Sequence, residues 1–530
     1  MHEDAPPPSL PGRATTAATA AHAQRFGLRP RRLGRSGLLV APVGFGGYRV
    51  HIDVPMHRQA LDEALRAGVN LVDTSANYTD GGSERLIGAG LSVLVGAGVV
   101  AREAVVVVTK IGYMQGEALA HGRRRGYPEV VEYQAECWHC IHPEYLADQF
   151  AISRGRLGLA TVDVLLLHNP EYFFIDRRNR SGRVDEADRD VFYDRIRRAF
   201  EFLEQAVARG EIAHYGVSSN GFAYAASAHD RTDLARMLQI AREVGGDDHH
   251  FAVAQLPRNL YELGAHPADD PAGPLAVAAA HDVGVLTNRP LNAFISDPPR
   301  TIRLADVTGP QGQPRDPAPL LREAQRREDD WQQGLGRRIA DELASTDSDP
   351  GLREQLLRHT FRWGHELGRG LASIRDLQHW LHVRNGVIAT HMGQVSNTLL
   401  SQLTGALLQA FREWWEDYSA ALLAALDGVE DGFRAQAQAA GEAIGDRLAQ
   451  AVPEAWSELP LSQRAVLALL ATRLHGPPDL TSPEISAVLV GMRRPAYVHD
   501  MTALAAVQPQ PGEPGGLVDP ARLIAAFAAR

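Results

Sequence analysis

The sequence predicts an α/β fold, a (β/α)8 TIM barrel with a large all-α insertion between strands seven and eight. Eight short apolar segments read as buried strands, and each except the seventh is followed promptly by a helical pattern. The eighth segment comes far downstream of the seventh, after a long stretch almost without β-branched runs. A doubly wound open sheet is the competing fold, but GFGGY at residues 44–48 lacks the GxGxxG spacing of its usual phosphate turn.

Composition places the chain among ordinary globular proteins. It has 530 residues, 45% of them hydrophobic and 22% charged, which allows one large domain with an insertion or several domains. The net charge of -10 argues against a nucleic-acid-binding surface. No apolar run approaches the roughly 20 residues that span a bilayer. We therefore expect no membrane partner. Two cysteines are too few to stabilise so long a chain by disulfides, so we also expect a reducing, cytoplasmic setting.

The barrel elements follow one another in order. Residues 1–27, rich in Pro, Ala and Thr, are predicted to be a disordered tail, and residues 28–313 the first part of the barrel. A small hairpin with Gly37 in its turn precedes strand one, and a helix is predicted from about Met56 to Ala67, with apolar residues at helical spacing. A long polar excursion follows strand three, and a loop rich in arginine, with Arg177, Arg178 and Arg180, follows strand four.

Polar residues stand at the carboxyl ends of the predicted strands. They are Asp73 after strand two with Tyr78 in the loop beyond, Lys110 after three, His168 after four, Ser219 and Asn220 after five, Gln255 after six, Asn288 and Arg289 after seven, and Arg493 and Arg494 after eight. Taken singly, each could have a purely structural role, such as a helix cap, a turn residue or an amide that hydrogen-bonds to loop backbone. Because the carboxyl ends of barrel strands face the ligand, their joint placement favours one shared site.

The helical insertion is predicted over residues 314–458. Trp331 to Leu343 carry apolar residues at a spacing of four, and Leu400 to Trp414 alternate three and four. Six of the seven tryptophans lie in this stretch, so we expect a core of its own. Because it follows strand seven on the catalytic face, we expect it to border the substrate opening or to support a homo-oligomer contact. The barrel resumes over residues 459–530, where Ser462 is expected to cap a helix.

The residues Asp73, Tyr78, Lys110 and His168 suggest proton transfer at an oxygen. A tyrosine has a pKa of about 10 in water, and a nearby lysine cation can lower this pKa by roughly 1–3 units. Asp73 can hold Lys110 charged, and His168 can position a carbonyl oxygen that shares the Tyr78 hydroxyl. None of these side chains can donate a hydride, so this chemistry requires a nicotinamide cofactor.

The order Asp, Tyr, Lys, His on successive barrel strands resembles the aldo-keto reductase superfamily. The matching pieces are VDTSANYTDGGSERLIG, VVVVTKIG, VDVLLLHNPE, HYGVSSN and VLVGMRRP, within about residues 33–291 and 461–504. The resemblance implies NADPH, with NADH also open, and a set of cofactor-binding residues: Gly46, Gly47, Ser219, Asn220, Gln255, Asn288, Arg289, Gly491, Arg493 and Arg494. Among them, Ser219, Asn220 and Gln255 would hold the nicotinamide carboxamide, and Arg493 or Arg494 the 2′-phosphate.

Three departures from the family pattern leave the mode of cofactor binding open. Thr79 and Asp80 lengthen the loop after the tyrosine, which glycine usually follows directly. Asn288 stands where the family usually has an aromatic that stacks on the nicotinamide, and Tyr497 and Met501 replace polar residues of the last adenosine-binding helix.

The segment Cys137-Trp138-His139-Cys140, with His142 nearby, suggests a zinc site or a redox motif as a hypothesis. Its spacing is cramped and the usual separated second ligand pair is missing, so a reduced loop near the rim of the site is favoured and no metal is expected.

The sequence therefore predicts an NAD(P)H-dependent oxidoreductase that interconverts a carbonyl and an alcohol on a small polar or sugar-like substrate, with Tyr78 as proton donor. The alternative is a nucleotide-sensing or scaffold protein that retains the site, motivated by the insertion, Asn288 and Tyr497. A lyase or isomerase on the same barrel ranks third, since no phosphate-binding glycine turn is visible at strands seven and eight.

Overall fold

The computed structural model describes residues 9–225, 227–263, 273–296, 299–304, 312–346, 360–471, 485–506 and 518–528. The chain divides into two compact units. Met1–Ala293 with Arg447–Arg530 form the barrel unit, and Phe294–Asp446 form the helical unit. Among the described helices, none is long and apolar enough to cross a bilayer.

The barrel unit contains a closed barrel of eight parallel strands, which confirms the predicted fold class. The strands are β1 Val43–Gly46, β2 Leu71–Asp73, β3 Val106–Ile111, β4 Val162–His168, β5 Ile212–Ser218, β6 Phe251–Pro257, β7 Gly284–Asn288 and β8 Ala487–Val490. They follow chain order around the ring, and β8 closes it by pairing with β7 and β1. Every residue of β3 and β4 is buried, as continuous apolar runs require.

Strand register brings the polar strand ends to one level. Ser218 pairs with His168 on one side and with Gln255 on the other, and Gly46 pairs with Asp73. The carboxyl ends of β1, β2, β4, β5 and β6 therefore meet at the same edge of the barrel.

Helices cover the barrel largely where the sequence predicts them. They are Pro55–Arg66, Gly82–Gly96, Pro143–Leu157, Tyr172–Ser181, Glu186–Ala208, Leu234–Gly245, Pro274–Ala280, Leu461–Ala471, Pro495–Thr502 and Pro520–Ala528. Two predicted details are wrong. The arginine-rich segment after β4 is a helix rather than a loop, with Phe173 and Phe174 buried on one face. Ser462 lies inside its helix, since the helix begins at Leu461.

The predicted disordered tail is wrong for its described part, residues 9–27. Thr16–Arg25 form a helix capped by the Thr15 side chain. Its flanking Ala14 N–H donates to Asp163 Oδ1 at the start of β4 (2.6 Å), and His22 Nε2 lies 3.0 Å from Gly68 O. Alanine favours helix and packs closely because its side chain is small, so this segment lies against the barrel although it lacks large apolar residues.

The polar excursion after β3 is also ordered. Tyr113–Met114, Val131–Gln134 and Cys137–His139 form a three-stranded antiparallel sheet, and Gly116–Arg125 form a helix between them. The strands are short and partly exposed, so they carry no long apolar run that the sequence could reveal.

The helical unit has its own apolar core. Its helices are Pro317–Gln333, Leu335–Thr346, Trp363–Gly370, Leu377–His382, Ala389–Gln402 and most of Gly405–Ala449, with a π-helical turn at Val383–Ile388. Trp331, Phe361, Trp380, Phe411 and Tyr418 are among its buried residues. The run from Trp331 to Leu343 belongs to two helices, because the backbone breaks at Gly334. Trp456 lies in the barrel unit instead. Between β7 and these helices, Asn292–Ser296 and Pro299–Arg303 form a two-stranded sheet.

Candidate active site

A buried ion pair lies at the carboxyl ends of β2 and β3. Lys110 is fully buried, and its Nζ donates to Asp73 Oδ2 (2.7 Å) and to Thr74 O (2.8 Å). The Gln255 side-chain amide donates to the other oxygen, Asp73 Oδ1 (2.8 Å). Both carboxylate oxygens are thus paired, which is the condition for keeping a charge inside a barrel.

The Tyr78 hydroxyl completes this group. Its oxygen lies 3.4 Å from Lys110 Nζ, and the ammonium lies 4.8 Å from the centre of the phenol ring. Tyr78 opens a turn in which Thr79 and Asp80 have left-handed backbone angles, φ 50° and 53°. Thr79 Oγ1 donates to Val50 O (2.7 Å) and the Asp80 carboxylate accepts from Glu117 N–H, so the longer loop is held at both residues.

His168 faces the same place from the end of β4. Its Nδ1 lies 2.9 Å from Ser75 Oγ, so Nε2 is the ring nitrogen that a substrate oxygen could meet. The Tyr113 ring lies edge-on to the imidazole, with centroids 4.7 Å apart, and the Tyr78 ring at 5.9 Å. His139 Nε2–H donates to the backbone oxygen of His168 (2.7 Å). Burial lowers the pKa of His139 to about 4, which suits a neutral donor.

Burial dominates the electrostatics of the site. It raises the pKa of Tyr78 by more than Lys110 lowers it, so the predicted decrease of this pKa is wrong. Burial lowers the pKa of Lys110, but Asp73 and Tyr78 raise it by more, and the ammonium stays charged. Burial, followed by the Lys110 charge, holds the pKa of His168 well below its ordinary value. The structure thus presents a protonated phenol, a cationic lysine and a neutral imidazole at neutral pH.

Gln255 links three strand ends. Besides its bond to Asp73, its Oε1 accepts from Ser218 Oγ (3.1 Å) and Asn288 Nδ2 (3.3 Å). Asn288 Oδ1 is buried and lacks a hydrogen-bond donor within the described residues. Gln255 therefore positions Asp73, and Asn288 offers an unused acceptor to a ligand.

The contacts of Ser219 contradict its predicted role. Its hydroxyl donates to Glu171 Oε2 (2.8 Å), lies 2.8 Å from Thr232 Oγ1 and accepts from Gly221 N–H (3.0 Å). A hydroxyl has one proton and two lone pairs, so no bonding capacity is left for a carboxamide. Side chains alternate along a strand, and Ser218, one residue earlier, is the serine that faces the site. Because HYGVSSN contains two consecutive serines, the sequence alone did not show that Ser218 rather than Ser219 faces the site.

Asn220 and Arg289 lie beside each other beyond β5 and β7. Arg289 Nη2 donates to Asn220 Oδ1 (3.4 Å) and to Glu262 Oε1 (2.9 Å). The Asn220 backbone N–H donates to Glu171 Oε1 (2.9 Å). The structure brings both predicted residues together, and Arg289 holds the side-chain oxygen of Asn220.

The glycines and arginines of the predicted set lie around the other half of the barrel edge. A β-carbon at Gly47 would lie 2.7 Å from both Asp73 O and Ser83 Oγ, so close packing explains this glycine. Gly46 ends β1. Gly491 is exposed after β8, Arg493 is half-buried, and Arg494 is exposed at the start of the helix Pro495–Thr502.

The two cysteines are buried and are not bonded to each other. Burial raises the pKa of Cys140 to about 12 and also raises that of Cys137, so neither presents a reactive thiolate. Within the described ranges, no group of three or more His, Cys, Asp or Glu residues could hold a metal ion. A cavity of about 360 Å³ beside Tyr127, Tyr145 and Arg156 includes none of the predicted site residues.

Sequence reasoning assigned no role at this site to several residues that support it. They are Ser75, Tyr113, His139, Glu171 and Ser218. Glu171 follows the HNP turn directly, and Ser75 lies two residues beyond Asp73, so position alone was the available signal.

Comparison with known proteins agrees with the geometry. Residues 42–292, just under half of the chain, match the model of the Aldo/keto reductase family. The resemblance stated from the sequence is thereby confirmed over this segment.

Individual relatives are similar over part of their length. The NADH-specific methylglyoxal reductase of Escherichia coli (strain K12) is 30% identical over 137 residues, which are 26% of this chain and 38% of that protein. A putative voltage-gated potassium channel subunit beta of Schizosaccharomyces pombe is 28% identical over 159 residues, 29% of this chain and 40% of that protein. The chain thus spans about two fifths of the curated relatives it matches.

Two solved aldo-keto reductase structures are similar to part of this chain. The holo form of an aldo-keto reductase from Bacillus halodurans is 20% identical to this chain, with a TM-score of 0.35. The similarity covers 56% of this chain and 77% of that one. An aldo/keto reductase from Klebsiella pneumoniae in complex with NADP and acetate is 20% identical, with a TM-score of 0.31. The similarity covers 49% of this chain and 67% of that one.

Proposed function

We propose that the protein is an NAD(P)H-dependent oxidoreductase that interconverts a carbonyl and an alcohol on a small polar or sugar-like substrate. One observation carries the proposal: Lys110 Nζ joins Asp73 Oδ2 (2.7 Å) to the Tyr78 hydroxyl (3.4 Å) at the carboxyl edge of the barrel. The family match over the same segment supports it.

The side chains divide the proton chemistry among them. In the reductive direction Tyr78 donates its proton to the substrate oxygen, and Lys110 stabilises the phenolate that remains. His168 positions that oxygen through Nε2, and Asp73 with Gln255 holds Lys110 in place. In the oxidative direction the Tyr78 phenolate accepts the proton of the alcohol.

The residues present fit a nicotinamide dinucleotide. When bound, this cofactor supplies or accepts the hydride. Its carboxamide has one acceptor and one donor group. The site offers the complement: the Nδ2 donor of Asn220, whose Oδ1 is held by Arg289, and the buried, unpaired Asn288 Oδ1 acceptor. Arg493 or Arg494 would hold a 2′-phosphate. The named relatives include an NADH-specific enzyme and a complex with NADP, so both cofactors belong in the test.

The decisive experiment compares wild type with Tyr78→Phe. Oxidation of NADPH and of NADH is followed with methylglyoxal, other small aldehydes, aldoses and ketones. We expect turnover of at least one compound by wild type, a kcat reduced by about 10²–10⁴-fold in Tyr78→Phe, and an unchanged Tm. Equal rates in the two proteins would show that Tyr78 is not the proton donor.

The second candidate is a nucleotide-sensing or scaffold protein that retains this site. A curated relative bears the description of a putative channel subunit beta, which motivates the alternative. Micromolar binding of NADPH or NADH without turnover of any compound in the panel would favour it over catalysis.

A further inference from the structure

Glu171 is a buried carboxylate that the proposed proton chemistry does not use. It lies between the end of β4 and the helix Tyr172–Ser181, and it is 1% exposed. Oε2 accepts from the Ser219 hydroxyl (2.8 Å) and Oε1 from the Asn220 backbone N–H (2.9 Å). Its two oxygens therefore join the loop after β4 to the loop after β5.

The surroundings of Glu171 do not favour its charge. Burial raises its pKa to about 7, with hydrogen bonds from Ser219 and Asn220 acting in the other direction and the like charge of Asp230 adding to the increase. No ion pair among the described residues includes Glu171, and its other titratable neighbours are Tyr113, Tyr172 and Tyr224. A group that is costly to bury is better explained by what it positions than by stability.

The group that Glu171 positions is Asn220. Glu171 fixes the backbone of this residue, and Arg289 fixes its side-chain oxygen at 3.4 Å. With the backbone and Oδ1 both held, the remaining Nδ2 group points in one direction. Glu171 also turns the Ser219 hydroxyl away from the site, which keeps the neighbouring polar group from competing.

We propose that Glu171 is a positioning residue for cofactor binding, which holds the loop after β5 so that Asn220 meets the nicotinamide carboxamide. The inference rests on the proposed function. It predicts that losing the Glu171 oxygens weakens binding of the nicotinamide end of the cofactor and leaves binding of the adenosine end unchanged.

A plain stabilising role is the competing explanation, and the chain offers a matched example of it. In the helical unit Glu328 is also fully buried and accepts from two backbone N–H groups, Gly364 (2.6 Å) and His365 (3.0 Å), and from the Tyr418 hydroxyl (2.9 Å). If a glutamate only accepts hydrogen bonds from buried donors, its replacement should lower stability. It should not change the relative affinities for a dinucleotide and for the same molecule without nicotinamide.

The test uses two variants that both remove the charge. Glu171→Met keeps the side-chain length but has no strong acceptor, whereas Glu171→Gln keeps one oxygen for the Asn220 N–H. Glu328→Met is the matched control. For each full-length protein, dissociation constants are measured by calorimetry for NADPH, NADH, and the same molecules without nicotinamide, 2′-phospho-ADP-ribose and ADP-ribose, together with Tm and steady-state constants.

We expect Glu171→Met to weaken binding of the tighter-binding dinucleotide about tenfold and to leave binding of its nicotinamide-free counterpart within twofold. Glu171→Gln should recover most of the loss, and the KM of the carbonyl substrate should change less than the KM of the cofactor. Glu328→Met should change neither affinity. If Glu171→Met weakens both ligands equally, or neither, the inference is wrong while the proposed function stands. A wild-type protein that binds no dinucleotide overturns both.

Discussion

The partly buried Tyr78 phenol is the group on which we expect the pH response of the site to depend. Burial raises the pKa of Tyr78, and Lys110 offsets only part of the increase. The sequence reveals the lysine but not the degree of burial, so it predicts the wrong direction. A phenol with a raised pKa stays protonated through the neutral range, which suits a donor in reduction and hinders the base needed in oxidation.

We predict that reduction and oxidation have opposite pH dependence. kcat for reduction should show no loss attributable to Tyr78 up to about pH 9, whereas kcat for oxidation should rise with pH. Lys110→Met should lower kcat for reduction about 100-fold at pH 7 and move the oxidative profile to higher pH, because the phenolate loses its cation. Stopped-flow rates measured between pH 5 and 10 check this, and a reductive rate that falls from pH 6 to 8 would contradict it.

Ser75 should orient the imidazole of His168. Removal of its hydroxyl in Ser75→Ala leaves Nδ1 without the 2.9 Å contact. We expect the KM of the carbonyl substrate to rise about 3–10-fold, a change of order 1 kcal/mol as for a single hydrogen bond, while cofactor affinity stays unchanged. Calorimetry and steady-state kinetics separate these quantities, and equal changes in both would show a general distortion instead.

Glu171 should also affect the pH dependence of the protein's stability. Its folded pKa of about 7 lies above the ordinary 4.5, so between these values the folded state binds more protons than the unfolded state. The contribution of Glu171 to the free energy of unfolding of wild type therefore falls as pH rises through this window, and Glu171→Gln does not have this decrease. The Tm of Glu171→Gln relative to wild type should be higher at pH 8 than at pH 5. A constant difference between the two melting curves would contradict the raised pKa.

At the scale of elements, the amino-terminal helix should stabilise the barrel without touching catalysis. Asp163 accepts from Ala14 N–H and Val107 N–H and pairs with Arg102, all at the amino ends of the strands. Removal of residues 1–25 should lower Tm by several degrees and leave kcat/KM unchanged. Thermal melting beside steady-state kinetics checks this, and an unchanged Tm would show that the helix contributes no stability.

The eight strands were predictable because each consists mostly of apolar residues, as strands buried on both faces of a sheet do. The order of Asp73, Tyr78, Lys110 and His168 was predictable for the same reason, since strand ends share one edge. Two failures have physical causes. The helix Thr16–Arg25 packs through small alanines, which carry little hydrophobic signal. Ser219 and Ser218 differ only in the face of the strand they occupy, and one residue of register reverses that face.

At the scale of the whole molecule, the helical unit carries enough core to be tested alone. Trp331, Trp380, Phe411 and Tyr418 are fully buried within its own apolar cluster. Residues 312–446 expressed alone should be helical by circular dichroism and melt cooperatively. A non-cooperative transition would show that this core is insufficient.

The role of that unit in the reaction is a separate question. We predict that replacing residues 314–446, which lie within the helical unit, by a short linker changes the KM of the substrate or the molar mass in solution. Either change is expected if this unit borders the opening or joins protomers. Light scattering and kinetics on the deleted protein measure both, and a protein with wild-type values would make the unit a passive appendage.

The late position of β8 affects the order in which the chain can fold during synthesis. About 200 residues separate Asn288 at the end of β7 from Ala487 at the start of β8. At about 5–20 residues per second, roughly 10–40 s pass between emergence of β7 and β8 from the ribosome. Throughout that time β1 and β7 are unpaired edges of an open seven-stranded sheet, the kind of edge that recruits other chains. We therefore expect chaperones to bind the nascent chain until β8 closes the ring.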